Sequence, residues 1–378
     1  MKKILFLTGT RADFGKIKSL INILQQNTEF DVRIFITGMH MHTLYGSTYK
    51  EVESCGCKSI FKYINHTSEK TMDLTLAKTI EGLSSYIKEF PVDLIVIHGD
   101  RVEALAGAIV GSLNNILVAH IEGGELSGTI DDLIRHAVSK MSHIHFVCND
   151  QAKQRLIQLG ECENAIYNIG SPDMDLMFSE HLPTIQEVKQ YYEIYFDRYA
   201  IVMYHPVTTE YEMAEEHAEN LIAALLSDSH DYVIIYPNND LGSNCILRAY
   251  RKLDGNPRFR IFPSIRFEYF LTLLKYADFM IGNSSAGIRE APAYGIPSIN
   301  IGTRQQNRAV ASTIINCSNA QDKIQQSIHL VQSIEINKVQ MFGSGKSNEY
   351  FYEILKKNDM WELPKQKKFN DIDVVNCN

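Results

Sequence analysis

The stretch from Val92 to Val147, VDLIVIHGDRVEALAGAIVGSLNNILVAHIEGGELSGTIDDLIRHAVSKMSHIHFV, holds three short apolar runs separated by helix-patterned segments. Continuous runs of this length fit strands buried on both faces, and such strands alternate with helices in parallel-sheet α/β folds. The first run closes on His98, Gly99 and Asp100, the second on His120, Ile121, Glu122, Gly123 and Gly124, and Asp131 with Asp132 opens the helix before the third. In an open parallel sheet the carboxyl ends of the strands face the ligand crevice, so side chains placed this way converge although distant in sequence. Asp100, Glu122 and Asp131 are therefore the expected acid/base set.

The same unit recurs on either side. Lys3 to Thr8 is an apolar strand running into Gly9-Thr10-Arg11-Ala12-Asp13-Phe14-Gly15-Lys16, after which Ile17, Leu20, Ile21 and Leu24 recur at helical spacing. Asp31 to Ile36 follow as a strand ending in Thr37-Gly38-Met39-His40, with His40 either facing the crevice or satisfied within its loop. Gly46 to Thr71 is polar and irregular, expected as a loop with a mobile part over the site. Met72 to Phe90 is helical, Asn149 to Leu159 again helical, and Ala165 to Ile169 a strand. Irregular apolar spacing from Asp173 to Arg198 reads as a bridge.

Beyond the bridge the alternation resumes. Tyr199 to Tyr204 ends in His205-Pro206-Val207-Thr208, and Asp231 to Tyr236 is a second strand. Phe267 to Tyr276 is an amphipathic helix, Asp278 to Ile281 a strand, and Gly295 to Ile301 another. The pattern predicts two doubly wound, Rossmann-like α/β domains facing one cleft, residues 1–172 and 199–345, joined by 173–198 and followed by a C-terminal helix and tail at 346–378.

Composition narrows the function. The net charge of −8 argues against a surface that neutralises nucleic-acid phosphates, which needs clustered Lys and Arg. No apolar run is long enough to cross a bilayer, and Met1 to Leu7 reads as a first strand rather than a signal peptide. Seven cysteines without repeated spacing fit free thiols in a reducing, cytoplasmic compartment. No metal site and no nicotinamide site is expected: His136, His143 and His145 lack further ligands at metal spacing and read as core or interface histidines.

Anion-holding equipment occurs in both halves. The loop at Gly9 lacks the second glycine of a dinucleotide fingerprint, which leaves a helix start beside Arg11 and Lys16, suited to a diphosphate, or an ordinary turn with two solvated cations. Gly282-Asn283-Ser284-Ser285 offers amides and hydroxyls where a helix carrying Arg289 and Glu290 begins, with Glu290 placed to hold ribose hydroxyls. Each residue also has a purely structural reading: Ser284 or Asp131 as N-cap, Glu290 as partner of Arg289, Glu122 as turn former. Gly343-Ser344-Gly345-Lys346-Ser347 imitates a P-loop, but the required first glycine is Gln340, so it is at most a backbone anion turn. Lys365, Lys367 and Lys368 after Trp361 read as a solvated end.

Jointly, carboxylates in one half and anion loops in both point to a sugar-nucleotide enzyme. The strings GTRAD (Gly9 to Asp13), HGDRVEALAGA (His98 to Ala108), HIEGGELSGTIDDLIRH (His120 to His136), HPVT (His205 to Thr208) and GNSSAGIREAPAYGIP (Gly282 to Pro297) closely resemble the UDP-N-acetylglucosamine 2-epimerases, in particular the hydrolysing bacterial members that start sialic acid synthesis. The resemblance implies a glycosyltransferase-B-like fold with UDP held mainly by the C-terminal domain, no cofactor, and a homo-oligomer. It implies loss of UDP from C1 and of the proton from C2, giving 2-acetamidoglucal, then hydration to free N-acetylmannosamine. It assigns Asp100, Glu122 and Asp131 to acid/base work, His205 to catalysis or diphosphate contact, and Arg11, Asp13, Lys16, Ser284, Ser285, Glu290 and Arg304 to the nucleotide site. A non-hydrolysing epimerase, a hydrolysing relative acting on a diacetamido-trideoxy sugar, and a retaining glycosyltransferase remain as alternatives; the last usually has glutamate where Gly282 stands.

Overall fold

The computed structural model describes residues 1–66, 71–127, 130–305 and 311–371. Thirteen strands are assigned among them: β1 (Lys2–Thr8), β2 (Phe30–Ile36), β3 (Ser59–Lys62), β4 (Leu94–His98), β5 (Leu117–Ile121), β6 (Ile144–Val147), β7 (Ile166–Asn168), β8 (Ala200–Met203), β9 (Tyr232–Ile235), β10 (Phe259–Phe262), β11 (Met280–Gly282), β12 (Ser298–Ile301) and β13 (Ile314–Cys317). They form two sheets, ordered β3-β2-β1-β4-β5-β6-β7 and β10-β9-β8-β11-β12-β13. Every pairing in both is parallel.

These are the two doubly wound domains expected from the alternation of apolar runs and helices. Each sheet reverses its winding once, between β1 and β4 and between β8 and β11, which opens a crevice at the carboxyl ends of those strands. The central strands are buried on both faces, as Leu94 to Ile97 and Ala200 to Val202 illustrate. The domains touch where Gly15 lies under Phe267: a Cβ on Gly15 would come within 2.4 Å of the Phe267 ring, so only glycine lets the helix Arg11–Gln25 approach the second domain this closely.

Several expectations need correction. The loop expected from Gly46 to Thr71 contains a helical turn, Tyr49–Glu53, and the edge strand β3; its remaining part at 67–70 lies outside the described residues. The segment expected as an irregular bridge folds into helices Pro172–Met177 and Ile185–Tyr192. Pro172 starts the first, and a Thr184–Glu187 capping box starts the second. Their apolar residues are too few and too short-ranged to show a period, yet Met174, Met177 and Val188 are buried.

The C-terminal segment returns to the first domain. In the helix Ser347–Leu355 the Phe351 ring lies 6.4 Å from Phe6 and 4.8 Å from Phe146, and Phe351, Ile354 and Leu355 join the first-domain core. The amides at its start are not free for an external anion, because Asp175 accepts from Ser347 N at 2.7 Å and Asn348 N at 2.9 Å. The tail is a solvated end only in part: Lys365 and Lys368 are exposed, but Lys367 Nζ donates to the Ser142 and Lys140 carbonyls at 2.6 and 2.8 Å and pairs with Glu161. The very end, 372–378, lies outside the described residues.

Phe351→Ala removes the ring that joins the returning helix to both aromatic partners, so it is expected to destabilise the first domain by about 3–5 kcal/mol. Denaturant unfolding followed by fluorescence checks it; a loss below about 1 kcal/mol would mean the C-terminal helix is only loosely attached.

Candidate functional site

A cavity opens between the domains at the carboxyl ends of their strands. Asp100, Asp131, His205, Arg11, Lys16, Ser284, Ser285, Glu290 and Arg304 all line it. Of the residues singled out in the sequence, Glu122 and Asp13 are not in its lining. Of the HIEGGELSGTIDDLIRH string that carried the carboxylates, Gly128 and Thr129 lie outside the described residues.

Asp100 follows β4 by one residue beyond Gly99, whose φ of +75° makes the turn. Arg135, on the helix Ile130–Met141, donates to Asp100 Oδ2, and Ser127 Oγ donates to the same oxygen at 3.1 Å. Asp131 lies in the first turn of that helix and meets Arg304 Nη2 of the other domain at 3.2 Å. Burial, then the neighbouring Asp100, pushes the Asp131 carboxyl above its ordinary range, and Arg304 only partly opposes this.

Glu122 stands differently. It ends β5 in a left-handed conformation at φ +65°, a cost for a residue with a Cβ, held by Glu122 N donating to Phe146 O at 2.9 Å and Arg135 Nη1 donating to Glu122 O at 2.6 Å. Its side chain turns away from the cavity into a buried charge cluster. Arg289 Nη2 donates to Glu122 Oε1 at 2.6 Å, Ser171 Oγ to the same oxygen at 2.6 Å, and Lys16 Nζ lies 3.5 Å away. His98 Nε2 is 3.2 Å from the other oxygen. Burial opposes the charge, but Arg289, then Lys16 and His98, outweigh it and hold the carboxyl well below the usual range.

Lys16 also reaches Asp173 at 3.3 Å and Glu290 at 3.8 Å. Burial and the nearby Arg289 favour losing its proton, yet the three carboxylates more than compensate and keep it charged. Glu290 is pushed up to about 6 by burial. Arg289 pairs with Glu122 and Glu125 rather than with the adjacent Glu290, against one structural reading of the sequence. As expected, a turn after Gly282, with Ser285–Gly287 as a short helical turn, leads into a helix, Glu290–Tyr294, which has Arg289 at its N-cap position.

Other side chains are spoken for. Asp13 closes a capping box, accepting from Gly9 N at 2.9 Å and Thr10 N at 3.2 Å, so it shapes the turn that aims Arg11. Arg11 crosses the interface to Ser264 Oγ at 2.7 Å and pairs with Glu51 at 2.6 Å. His40 is the satisfied loop histidine, its nitrogens 3.0 Å from Thr8 Oγ1 and 2.7 Å from Thr48 Oγ1. His120 turns inward to Gly99 O at 2.8 Å and Ser139 Oγ at 3.0 Å. His143 Nδ1 accepts from Val118 N at 3.1 Å, and His145 Nε2 sits 3.0 Å from Glu161. Glu122, Glu125 and Cys148 bring ligand atoms within 4.8 Å of one another, but the Arg289 guanidinium is already the cation among them.

His205 follows β8, one residue beyond Tyr204, and is fixed by Asn283, whose Oδ1 accepts from His205 N at 2.6 Å and whose Nδ2 donates to His205 O at 2.8 Å. Its Nδ1 accepts from Asn238 N at 3.0 Å, so the neutral ring carries its proton on Nε2. Burial, then the charges of Arg304 and Arg101, holds the ring well below its ordinary pKa. Sequence reasoning missed Arg101, Tyr45 and Asn238 in the cavity wall and Arg289, Ser171 and Asp173 behind it. Arg101 directly follows Asp100 in a string already singled out, and that adjacency was signal enough.

Comparison with known proteins gives the family. A family model described as UDP-N-acetylglucosamine 2-epimerase matches residues 22–356, and the chain belongs to that family. A UDP-N-acetylglucosamine 2-epimerase of Neisseria meningitidis serogroup B is 46% identical, over 99% of this chain and 100% of its own. A hydrolysing UDP-N,N'-diacetylbacillosamine 2-epimerase of Legionella pneumophila is 32% identical, over 94% and 96%. Among solved structures, the Methanocaldococcus jannaschii UDP-GlcNAc 2-epimerase in complex with UDP-GlcNAc and UDP shares the fold with a TM-score of 0.80 at 22% identity, covering 94% of this chain and 99% of that one.

The electrostatics of His205 are open to direct test. Nitrogen-15 NMR of the histidine rings should find His205 neutral, with the proton on Nε2, from about pH 5 to 8. A His205 titration inside that window would contradict the desolvated, cation-flanked environment.

Proposed function

We propose that the protein is a hydrolysing UDP-N-acetylglucosamine 2-epimerase, converting UDP-N-acetylglucosamine and water to N-acetylmannosamine and UDP, the entry to sialic acid synthesis. The observation that carries this reading is the meeting of Asp131 with Arg304 at 3.2 Å across a cavity that Asp100, His205 and the Ser284–Ser285 turn also face. Carboxylates from one domain and anion-holding groups from the other thus address a single ligand.

The C2 proton of the sugar is not next to a carbonyl and becomes acidic only as C1 gains oxocarbenium character. The reaction therefore needs donors for the departing diphosphate, negative charge near C1 and a base near C2. The Ser284 and Ser285 turn, Arg11, Lys16 and Arg304 supply the donors, and neutral His205 adds its Nε2–H. Glu290 takes the ribose hydroxyls, and Ile235, Ile265 and Phe270 provide an apolar wall for the base. Asp131, with its pKa raised by burial and by Asp100 beside it, is suited to accept and return a proton. Glu122, held ionised behind Lys16, is suited to stabilise positive charge rather than to carry the proton. Asp13 acts indirectly, by shaping the turn before Arg11.

The 46% relative supports UDP-N-acetylglucosamine over the diacetamido sugar of the 32% relative. A transferase reading meets a steric obstacle: a Cβ on Gly282, at φ +137°, would lie 2.0 Å from Met203 O, so no glutamate fits there. The resemblance also carries the expectation of a homo-oligomer, which light scattering would check.

Proton NMR of the purified protein with UDP-N-acetylglucosamine in deuterated water should show free N-acetylmannosamine deuterated at C2. Asp100→Asn, Glu122→Gln and Asp131→Asn should each lower kcat by about 10²–10⁴-fold while the folded variants still bind UDP. Near-normal turnover in all three would remove the acid/base assignment.

A further inference from the structure

We propose that Arg289 is a positioning residue for this reaction, reaching from the nucleotide-holding turn of the second domain to fix the Glu122 carboxylate of the first. The inference rests on the functional reading above and assigns a role that reading left empty. Arg289 is 1% exposed and caps the helix that begins with Glu290. Its Nη2 donates to Glu122 Oε1 at 2.6 Å and to Ser171 Oγ, its Nη1 donates to Glu125 Oε2, and its plane lies 4.4 Å from the centre of the Phe342 ring. A guanidinium so gripped is a rigid fork, and it aims both carboxylates.

The other groups around the Glu122 side chain come from the first domain. Lys16 from the helix Arg11–Gln25 is 3.5 Å away, His98 from the end of β4 3.2 Å, and Ser171 2.6 Å. Asp173 and Glu125 add negative charge through their own contacts with Arg289, and Arg135, paired with Asp100, meets Glu122 at its backbone carbonyl. Glu122 is therefore fully paired and oriented only when the second domain is docked. Because Arg289 and Glu290 are adjacent, the contact that would hold ribose and the contact that holds Glu122 move as one piece. Domain docking on the nucleotide and arming of the first-domain glutamate become a single event.

Arg289→Met alone leaves three buried carboxylates short of a cation and threatens folding, so the decisive variant is R289M/E125Q, which removes one charge of each sign. Its kcat should fall by about 10²-fold or more, as when one preorganised donor is lost. KM for UDP-N-acetylglucosamine and the affinity for UDP should stay within about threefold. Carbon-13 NMR of the glutamate carboxyls should find the Glu122 titration moved to higher pH, because Glu122 without the guanidinium takes up a proton more readily. R289K should keep that titration in place while losing part of kcat, since a point ammonium cannot span Glu122 and Glu125. A folded double variant with unchanged kcat or an unmoved Glu122 titration overturns the proposal, as does a parallel loss of kcat and UDP affinity with lowered thermal stability. If the wild-type protein releases no UDP from UDP-N-acetylglucosamine, the functional reading fails instead. The Arg289 role is then decided by carbon-13 NMR of the glutamate carboxyls, where the double variant must raise the Glu122 titration.

Discussion

Both halves of the molecule depend on a charge cluster sealed between them. Glu122, Glu125, Asp173 and Glu290 share Lys16 and Arg289, with every one of these groups nearly excluded from solvent. Buried charges are tolerable only when paired, and removing one partner of such a pair costs about 3–5 kcal/mol. Four carboxylates facing two cations leave an excess of negative charge. Glu290, the most weakly engaged at 3.8 Å from Lys16, is the one whose pKa rises, to about 6. Glu122, with Arg289 at 2.6 Å and Lys16 and His98 beside it, is pushed the other way. The cluster thus sorts chemically identical groups by geometry alone.

A second pair of carboxylates lies on the cavity side and follows the opposite logic. Asp100 and Asp131 come from the end of β4 and the start of the following helix, close enough for the charge of one to raise the pKa of the other. Arg135 is committed to Asp100, while the partner of Asp131, Arg304, sits on a loop of the other domain that also donates to Asn283 O at 3.2 Å. A carboxylate whose cation belongs to the far wall of a cleft loses or keeps that cation according to what lies between. Asp131 is therefore tied to the far wall of the cleft through Arg304.

How much of this could be read from the sequence follows from where the apolar surface lies. β1, β4, β5, β8 and β11 are central strands buried on both faces, so each left an unbroken apolar run and was legible. The edge strands β3, β10 and β13 were not, because their side chains are half exposed and their residues read as loop. The returning C-terminal helix was legible as a helix but not as part of the first domain, since Phe351 gives no hint of which core it enters. Among site residues, strand-end placement brought Asp100 and Asp131 to the cavity as the crevice rule requires. It could not distinguish them from Glu122, because the turn of that side chain follows from a left-handed backbone and an arginine located in the other domain. Arg289 was read as a local partner of its neighbour, the cheapest inference from adjacency, and only the packing of two domains reveals the true one.

The arrangement gives the cleft a direction. The Ser284–Ser285 turn, Arg304 and the Nε2–H of a neutral His205 gather where the second-domain strands end, Arg11, Lys16 and Arg101 reach in from the first domain, and Asp100 and Asp131 lie where the first-domain strands end. A substrate whose two halves are a diphosphate and a neutral sugar has one favourable orientation in such a field, with the anion against the donors and the ring against the carboxylates. Bond breaking at the junction moves negative charge toward the donors and leaves positive charge beside the carboxylates, so each increment of charge separation is met by a preformed opposite charge. Gly282 keeps one position clear: with a Cβ barred by Met203 O, the second domain cannot place a carboxylate at the end of β11.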